Sequence, residues 1–278
     1  MKQEQAIQNH KRGLKGTLRY LKRMYWRPEM TLLPGQLAFF TILSLVPLLT
    51  LAGYAASFFG LSIESITDII NNLSPGVAEI VDTSEGGVGT GFLIFLGIML
   101  YIASNGLASI VVTSNTIYNI PQKPWIVRRI KGIFLTLLIV SLYLFVLLLP
   151  VLGYQILSAV DAFNIRPLLI NTITTLHVPI TWLIIFIFIK IIYTIAPDKR
   201  ISPKFMNWGA VFTTTGWVIT SAFYGYWVNN FARHELFYAG FANLAVLMLW
   251  VYFLSMIFVV GMSINYRALE KNGNNRNK

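Results

Sequence analysis

The chain has 278 residues, of which 55% are hydrophobic and 12% charged, with a formal net charge of +11 and a mean hydropathy of +0.63. A soluble domain carries about 25% charged residues, and a water-soluble fold of this length has nowhere to place so much apolar surface. With no cysteine, and with His10, His177 and His234 as the only histidines, disulfides, thiolate catalysis and Cys/His metal sites are excluded, and no cofactor is expected.

Residues 1–35 hold eight Lys/Arg. Ile7, Leu14, Leu18, Leu21 and Tyr25 recur at helical spacing, with Lys11, Arg12, Lys15, Arg19, Lys22 and Arg23 largely between them. That pattern predicts a cytoplasmic amphipathic helix lying in the headgroup region; a solvated helix packed on the bundle is the plainer alternative. No apolar h-region or small-residue cleavage site opens the chain, so the first apolar span is expected to stay as an anchor.

A span needs roughly 20 apolar residues to cross about 30 Å of hydrocarbon. Six stretches qualify, at about 36–59, 92–114, 131–157, 168–194, 208–231 and 242–266, with no Lys, Arg, Asp or Glu in their central parts. Lys190 stands near the end of the fourth, where it can snorkel to the surface. The segments 1–35, 115–131, 195–207 and 267–278 together hold 19 of the 22 Lys/Arg, whereas 60–91, 158–167 and 232–241 hold only Arg166 and Arg233. By the positive-inside rule the first set is cytoplasmic, which puts both termini there. Segment 60–91 has five acids and no base, with Ile63, Ile66, Ile70 and Leu73 forming a short outside amphipathic helix ended by Ser74-Pro75-Gly76. The expected architecture is an all-α integral membrane protein: residues 1–35 a basic amphipathic helix, 36–266 a six-transmembrane-helix bundle, and 267–278 a disordered cytoplasmic tail.

Polar and helix-breaking residues inside the spans are the candidates for function. Asn105, Ser109 and Thr113 lie four apart on one face of the second span; Gly209, Thr213, Gly216 and Thr220 make a stripe on the fifth; Gly261 and Asn265 do so on the sixth. Close helix packing, with hydrogen bonds each on the order of 0.6 kcal/mol, is the plainer reading, and a polar cavity the functional one. Pro47, in Ser44-Leu45-Val46-Pro47, and Pro179, just after His177, each remove a backbone donor and kink their helices. Broken helices at membrane depth suit a transporter, where freed carbonyls face protein or water. His177 is the titratable group well inside a span; a neutral imidazole bonded to a neighbouring helix is set against a proton-coupling role.

The sequence also resembles the YihY/BrkB family of bacterial inner-membrane proteins, formerly named ribonuclease BN, from about residue 31 to 268. The motifs are Leu37-Ala38-Phe39-Phe40-Thr41-Ile42-Leu43-Ser44-Leu45-Val46-Pro47, Ser114-Asn115-Thr116-Ile117-Tyr118 with Lys123-Pro124-Trp125, and Ile192-Tyr193 with Ala196-Pro197. Trp217, Phe223, Tyr226, Asn230 and Phe231 match in the fifth span, and Tyr238, Trp250, Tyr252, Gly261 and Asn265 in the sixth. The resemblance implies six transmembrane helices, marks Ser44, Asn115, Tyr118, Pro197, Trp217, Tyr226, Tyr238 and Trp250 as candidate functional residues, and implies a link to virulence in some members. Thr116 stands where the family has Arg, Ala239 where it has Gly, and Ser263 where many members have Glu.

The expected function is that of a multi-pass protein of the bacterial plasma membrane, a transporter or lipid-handling protein of the cell envelope. The alternative is a non-transporting scaffold that binds partner proteins. Lipid is favoured over a charged solute because no charge lines the spans. Arg128, Arg129, Lys131, Lys199, Arg200 and Lys204 are candidate contacts for anionic headgroups, each worth about 1 kcal/mol near the surface; setting topology alone is the plainer role for them. No specific nucleic acid and no enzymatic activity are expected. The cytoplasmic segments offer only Glu4, Glu29, Asp198 and Glu270 as acids, too few and too scattered for a metal-dependent ribonuclease.

Overall fold

The computed structural model describes residues 28–58, 90–160, 166–231 and 239–276. All the regular elements among them are helical: α1 (Pro28–Phe58), α2 (Thr90–Ile117), α3 (Trp125–Val160), α4 (Arg166–Ile195), a short 3-10 turn (Pro203–Met206), α5 (Asn207–Phe231) and α6 (Ala239–Arg276). Three contain stretches long and apolar enough to cross a membrane, Thr31–Ala52, Leu93–Ile117 and Asn243–Glu270, and Pro179–Ile195 is a shorter apolar stretch.

The helix ends follow from local chemistry. After Ile117 the Ile120 N–H bonds the Asn115 carbonyl at 2.8 Å and the Asn119 N–H bonds the Thr116 carbonyl at 3.3 Å. These are the paired bonds of a Schellman cap, with Asn119 in the left-handed region at φ 51° and Pro121 following to prevent continuation. Asparagine tolerates this conformation better than most residues. The Pro124 carbonyl accepts the first bond of α3, from the Arg128 N–H. α4 stops where Pro197 follows Ala196, since the residue before proline disfavours the helical region.

Two helices start ahead of the apolar spans read from the sequence. α1 is described from Pro28, so residues 28–35 are continuous with the first apolar stretch. α3 begins at Trp125, not near 131, which carries Arg128, Arg129 and Lys131 onto the helix. At the other end α6 runs as helix to Arg276, taking in most of the expected disordered tail; Ala268, Leu269, Glu270 and Lys271 are all good helix formers. The proposed basic helix before Pro28, the acidic segment through residue 89 and Tyr238 lie outside the described residues.

The chain divides into two compact units, so far as their residues are described. The terminal unit is Met1–Phe39, Val112–Gln122 and Phe186–Lys278; the central unit is Phe40–Val111 and Lys123–Ile185. In the terminal unit α5 and α6 pack closely, and their crossing is set by small residues. A Cβ on Gly209 would run into the Gly261 carbonyl and the Asn265 amide, and one on Gly261 would strike the Thr213 and Tyr193 hydroxyls. Glycine at both positions is what lets the two backbones approach. The central unit shows the same device, where a Cβ on Gly132 of α3 would stand 3.0 Å from Ala108 Cβ and the Ser104 carbonyl of α2.

Candidate functional site

In the terminal unit, residues far apart in sequence meet through hydrogen bonds. Asn115 is fully buried at the last turn of α2. Its Nδ2 donates to Asp198 Oδ2 at 2.7 Å and to Gln122 Oε1 at 3.3 Å, and its Oδ1 accepts the Asp198 N–H at 2.9 Å. Gln122 in turn donates to the Val112 carbonyl at 3.0 Å and to Thr116 Oγ1 at 3.3 Å. Thr116, the departure from the family's Arg, is thereby part of a local amide network. Asn119 adds a bond from its Nδ2 to the Tyr266 hydroxyl of α6 at 2.8 Å.

A second layer joins the 3-10 turn, α4, α5 and α6. Tyr118 is buried; its hydroxyl lies 3.5 Å from Met206 Sδ and its ring meets Tyr266 edge-on at 6.0 Å. Burial pushes the Tyr118 phenol well above its ordinary range, and the nearby Asn265 amide offsets part of that rise, so Tyr118 stays protonated at any physiological pH. Asn265 Oδ1 accepts the Gly209 N–H at 2.7 Å. That N–H is one of the orphan donors in the first turn of α5, so α6 supplies the cap that α5 lacks in its own sequence. Deeper still, the Tyr193 hydroxyl donates to the Phe258 carbonyl and meets Thr213 Oγ1, both at 2.7 Å. Having one proton, Tyr193 accepts from Thr213. Trp217 donates from Nε1 to the Leu254 carbonyl at 3.0 Å and lies against Phe258. Trp250 stacks on Tyr224 at 4.8 Å. Ser263 is fully buried and donates to the Val259 carbonyl at 2.9 Å, so a Glu here would sit in a closed environment.

The central unit holds two further polar contacts. Ser44 Oγ accepts the Gly106 N–H of α2 at 2.8 Å and donates to the Phe40 carbonyl of its own helix at 2.7 Å. A Cβ on Gly106 would meet this hydroxyl at 3.0 Å, so the glycine is what admits Ser44 to the helix backbone. Pro47 is buried one turn further along α1. The other contact involves a cation and neutral acceptors. Arg129 of α3 donates from Nη1 to Asn105 Oδ1 at 2.8 Å, Ser104 Oγ at 3.0 Å and the Tyr101 carbonyl at 3.4 Å. Its guanidinium carbon lies 4.0 Å from the Tyr101 ring centroid and 5.6 Å from that of Trp125, a cation–π arrangement.

The remaining candidates are placed as follows. Ser109 is buried, and Pro197 is buried beside Asp198. Pro179 is inside α4 and exposed, as is Tyr226 on α5. His177 falls in α4, but its side chain is outside the described set. Of the expected headgroup cations, Lys199, Arg200 and Lys204 are exposed, Arg128 and Lys131 half-buried, and Arg129 engaged on α2. Among the described residues no three His, Cys, Asp or Glu gather to hold a metal. Sequence reasoning overlooked Asp198 and Gln122 as partners of Asn115. The available signal was that Asp198 is the one acid in a stretch of three cations, directly after a motif proline.

Ser44, Asn115, Tyr118, Tyr193, Trp217, Trp250 and Asn265 in these contacts are among the residues that carried the family resemblance, and the family model described as Virulence factor BrkB matches residues 21–278. The chain belongs to the BrkB family. It is 32% identical over 259 residues to YfkH of Bacillus subtilis, named a ribonuclease-like protein, covering 88% of this chain and 94% of that one. It is 24% identical to UPF0761 membrane proteins of Chromobacterium violaceum and Aliivibrio salmonicida, covering 88% of this chain in each case and 60% and 80% of theirs. No solved structure matches the chain. This BrkB-family chain is a membrane protein.

Proposed function

We propose that the protein is a six-span, multi-pass protein of the bacterial plasma membrane, with both termini cytoplasmic, that handles lipid or another anionic amphiphile in the cell envelope. The observation that carries the reading is Arg129. Asn105, which its guanidinium grips, is the central residue of the Leu93–Ile117 stretch. An ionisable group reaching the middle of an apolar helix is expensive and marks a pathway or ligand by default. Here its sign is positive, which suits an anionic amphiphile and not a cation.

α5 supports membrane spanning beyond the three most apolar stretches. It exposes Trp208 near one end and Tyr226 near the other, 74% and 63% accessible, with about 27 Å of helix rise between them. That matches two aromatic belts across a hydrocarbon layer. A ribonuclease step has no place in this reading, since Asp198, an acid of the cytoplasmic segments, is engaged by Asn115. The test is reconstitution of the purified chain into liposomes carrying fluorescent phospholipids, alongside a panel of soluble anions and neutral solutes. Movement of phospholipid between leaflets supports the reading; transport of a soluble solute with lipid unmoved overturns it.

A further inference from the structure

The segment between α4 and α5 is held at both ends and presents three cations between them. At its start the Asp198 N–H donates to Asn115 Oδ1 at 2.9 Å, and the Asp198 carboxylate accepts from the same amide at 2.7 Å. At its end Met206 is fully buried, its Sδ 3.5 Å from the Tyr118 hydroxyl, and the Gly209 N–H is capped by Asn265 at 2.7 Å. Pro203, and a bond from the Phe205 N–H to the Ser202 carbonyl at 3.1 Å, shape the turn within. Lys199, Arg200 and Lys204 are all exposed. No acidic residue occurs from 199 to 208, and the one just before, Asp198, is turned to Asn115. Beyond the cations the exposed surface changes in order. Trp208, 74% accessible, stands in the first turn of α5, and Val211 and Phe212 follow at 48% and 41%. Cation, indole and apolar side chain, in that sequence, match the headgroup, interfacial and acyl layers of a bilayer.

We infer that Lys199, Arg200, Lys204 and Trp208 form a docking surface for anionic phospholipid headgroups, of the chemistry that phosphatidylglycerol carries. The inference deepens the lipid-handling reading and rests on it for the leaflet, the cytoplasmic one. It also divides the six cations expected at headgroups. Arg128 and Lys131 are half-buried on α3, and Arg129 is engaged on α2. Of the six, only the three between α4 and α5 are exposed. Setting topology needs these charges near a span end and nothing more. It requires neither a backbone fixed at both ends nor an exposed indole beside the cations. Docking uses both, because a surface already held in place gives up little conformational freedom on binding. A polyanion in water would account for the cations and not for Trp208, Val211 and Phe212.

The experiment uses the full chain in detergent micelles at physiological salt, with phosphatidylglycerol and phosphatidylcholine as probes. Native mass spectrometry is expected to show the wild type retaining phosphatidylglycerol in preference. Lys199→Gln, Arg200→Gln and Lys204→Gln should each lower that retention by about fivefold, and together by roughly a hundredfold, with phosphatidylcholine unaffected. Lys123→Gln removes an exposed cation outside the segment and should change retention by less than about twofold. A loss at Lys123 equal to the others overturns the surface in favour of diffuse attraction. Acylation of lysines in the wild type needs no variant to fold. Nanodiscs of phosphatidylglycerol should shield Lys199 and Lys204, and nanodiscs of phosphatidylcholine should not; equal shielding overturns the proposal. RNA that shields both lysines as strongly in phosphatidylcholine nanodiscs, at equal phosphate concentration, hands the surface to nucleic acid and also overturns it. Leaflet-to-leaflet lipid movement is measured in parallel. Preference without movement sinks the lipid-handling reading alone, and movement without preference sinks the docking surface alone.

Discussion

Asn115 and Asp198 grip each other through two bonds, amide to carboxylate at 2.7 Å and backbone N–H to amide oxygen at 2.9 Å. The second bond fixes the backbone after Pro197, so the pair joins the end of α2 to the turn that follows α4. Replacing Asn115 by Ala removes two hydrogen bonds from the half-buried Asp198 and should cost about 2 kcal/mol, read as a lowered melting temperature in detergent. Asp198→Asn keeps an acceptor in place and should cost less than half as much. Asn115→Asp sets two carboxylates together. Like charges raise each other's pKa, so repulsion is fully present above the raised value and fades as pH falls through it. The Asn115→Asp deficit should therefore be larger at pH 8 than at pH 5; a deficit that does not shrink on acidification would contradict the pairing.

The glycines of α5 and α6 should separate into two groups. Ala at 209 or 261 meets backbone or a fixed hydroxyl and should destabilise by about 1–3 kcal/mol. A Cβ on Gly216 would meet the Ile257 Cγ2 methyl at 2.6 Å, a side-chain atom on a stiff branched carbon but not backbone, so Gly216→Ala should also destabilise, by less than Ala at 209 or 261. Gly35 and Gly225 have open space around the missing Cβ, and Ala there should be neutral or stabilising by up to about 1 kcal/mol. Thermal unfolding of the five variants in one detergent tests the ranking.

Pro47→Ala restores a backbone donor to α1 and should straighten it. Ser44, one turn earlier, would then shift away from the Gly106 N–H that it now accepts. Expression and membrane insertion should survive, while reconstituted activity, or any phenotype complemented in a null strain, is lost. Wild-type behaviour in both assays would make Pro47 purely structural.

The absence of cysteine makes topology directly measurable. Ser84→Cys should react with an impermeant thiol reagent in intact cells, and Ser202→Cys only after permeabilisation. The reverse pattern overturns the orientation drawn from the Lys/Arg distribution.

Purified protein should bind RNA weakly through its basic segments, release it as salt rises, and leave it uncleaved with Mg²⁺, Mn²⁺ or Zn²⁺ present. Asp198→Asn is the informative control, because it removes an acid while keeping an acceptor for Asn115. Cleavage that follows the wild type through purification and vanishes in Asp198→Asn would revive the ribonuclease assignment.

What was legible in the sequence was whatever repeats locally. Apolar runs located the helices, and the Gly209–Thr213–Gly216 spacing marked the face that α5 turns to α6. α3 starts ahead of the apolar span at about 131 because Lys and Arg are good helix formers and Pro124 makes a natural first acceptor, so Arg128, Arg129 and Lys131 join the helix while reading in sequence as a membrane-surface segment. Partnerships across helices left no local trace. Nothing in the spacing of Asn105 and Arg129, or of Asn115 and Asp198, says that they touch; that follows only from which helix faces meet. Asn265 was visible as a polar residue on a small-residue stripe, but its use as a cap depends on where α5 begins.

Asn115 and Asp198 are 83 residues apart. At about 5–20 residues per second a ribosome needs roughly 4–17 s to synthesise that interval. For that time the Asn115 amide has no Asp198 to hold and must find water or a temporary partner. The end of α2 therefore reaches its final state only after the whole of α3 and α4 has been made. Nascent chains arrested before residue 198 should leave the α2 end open to proteolysis, and chains released beyond Gly209 should protect it. The order of synthesis thus sets the order in which this protein becomes rigid.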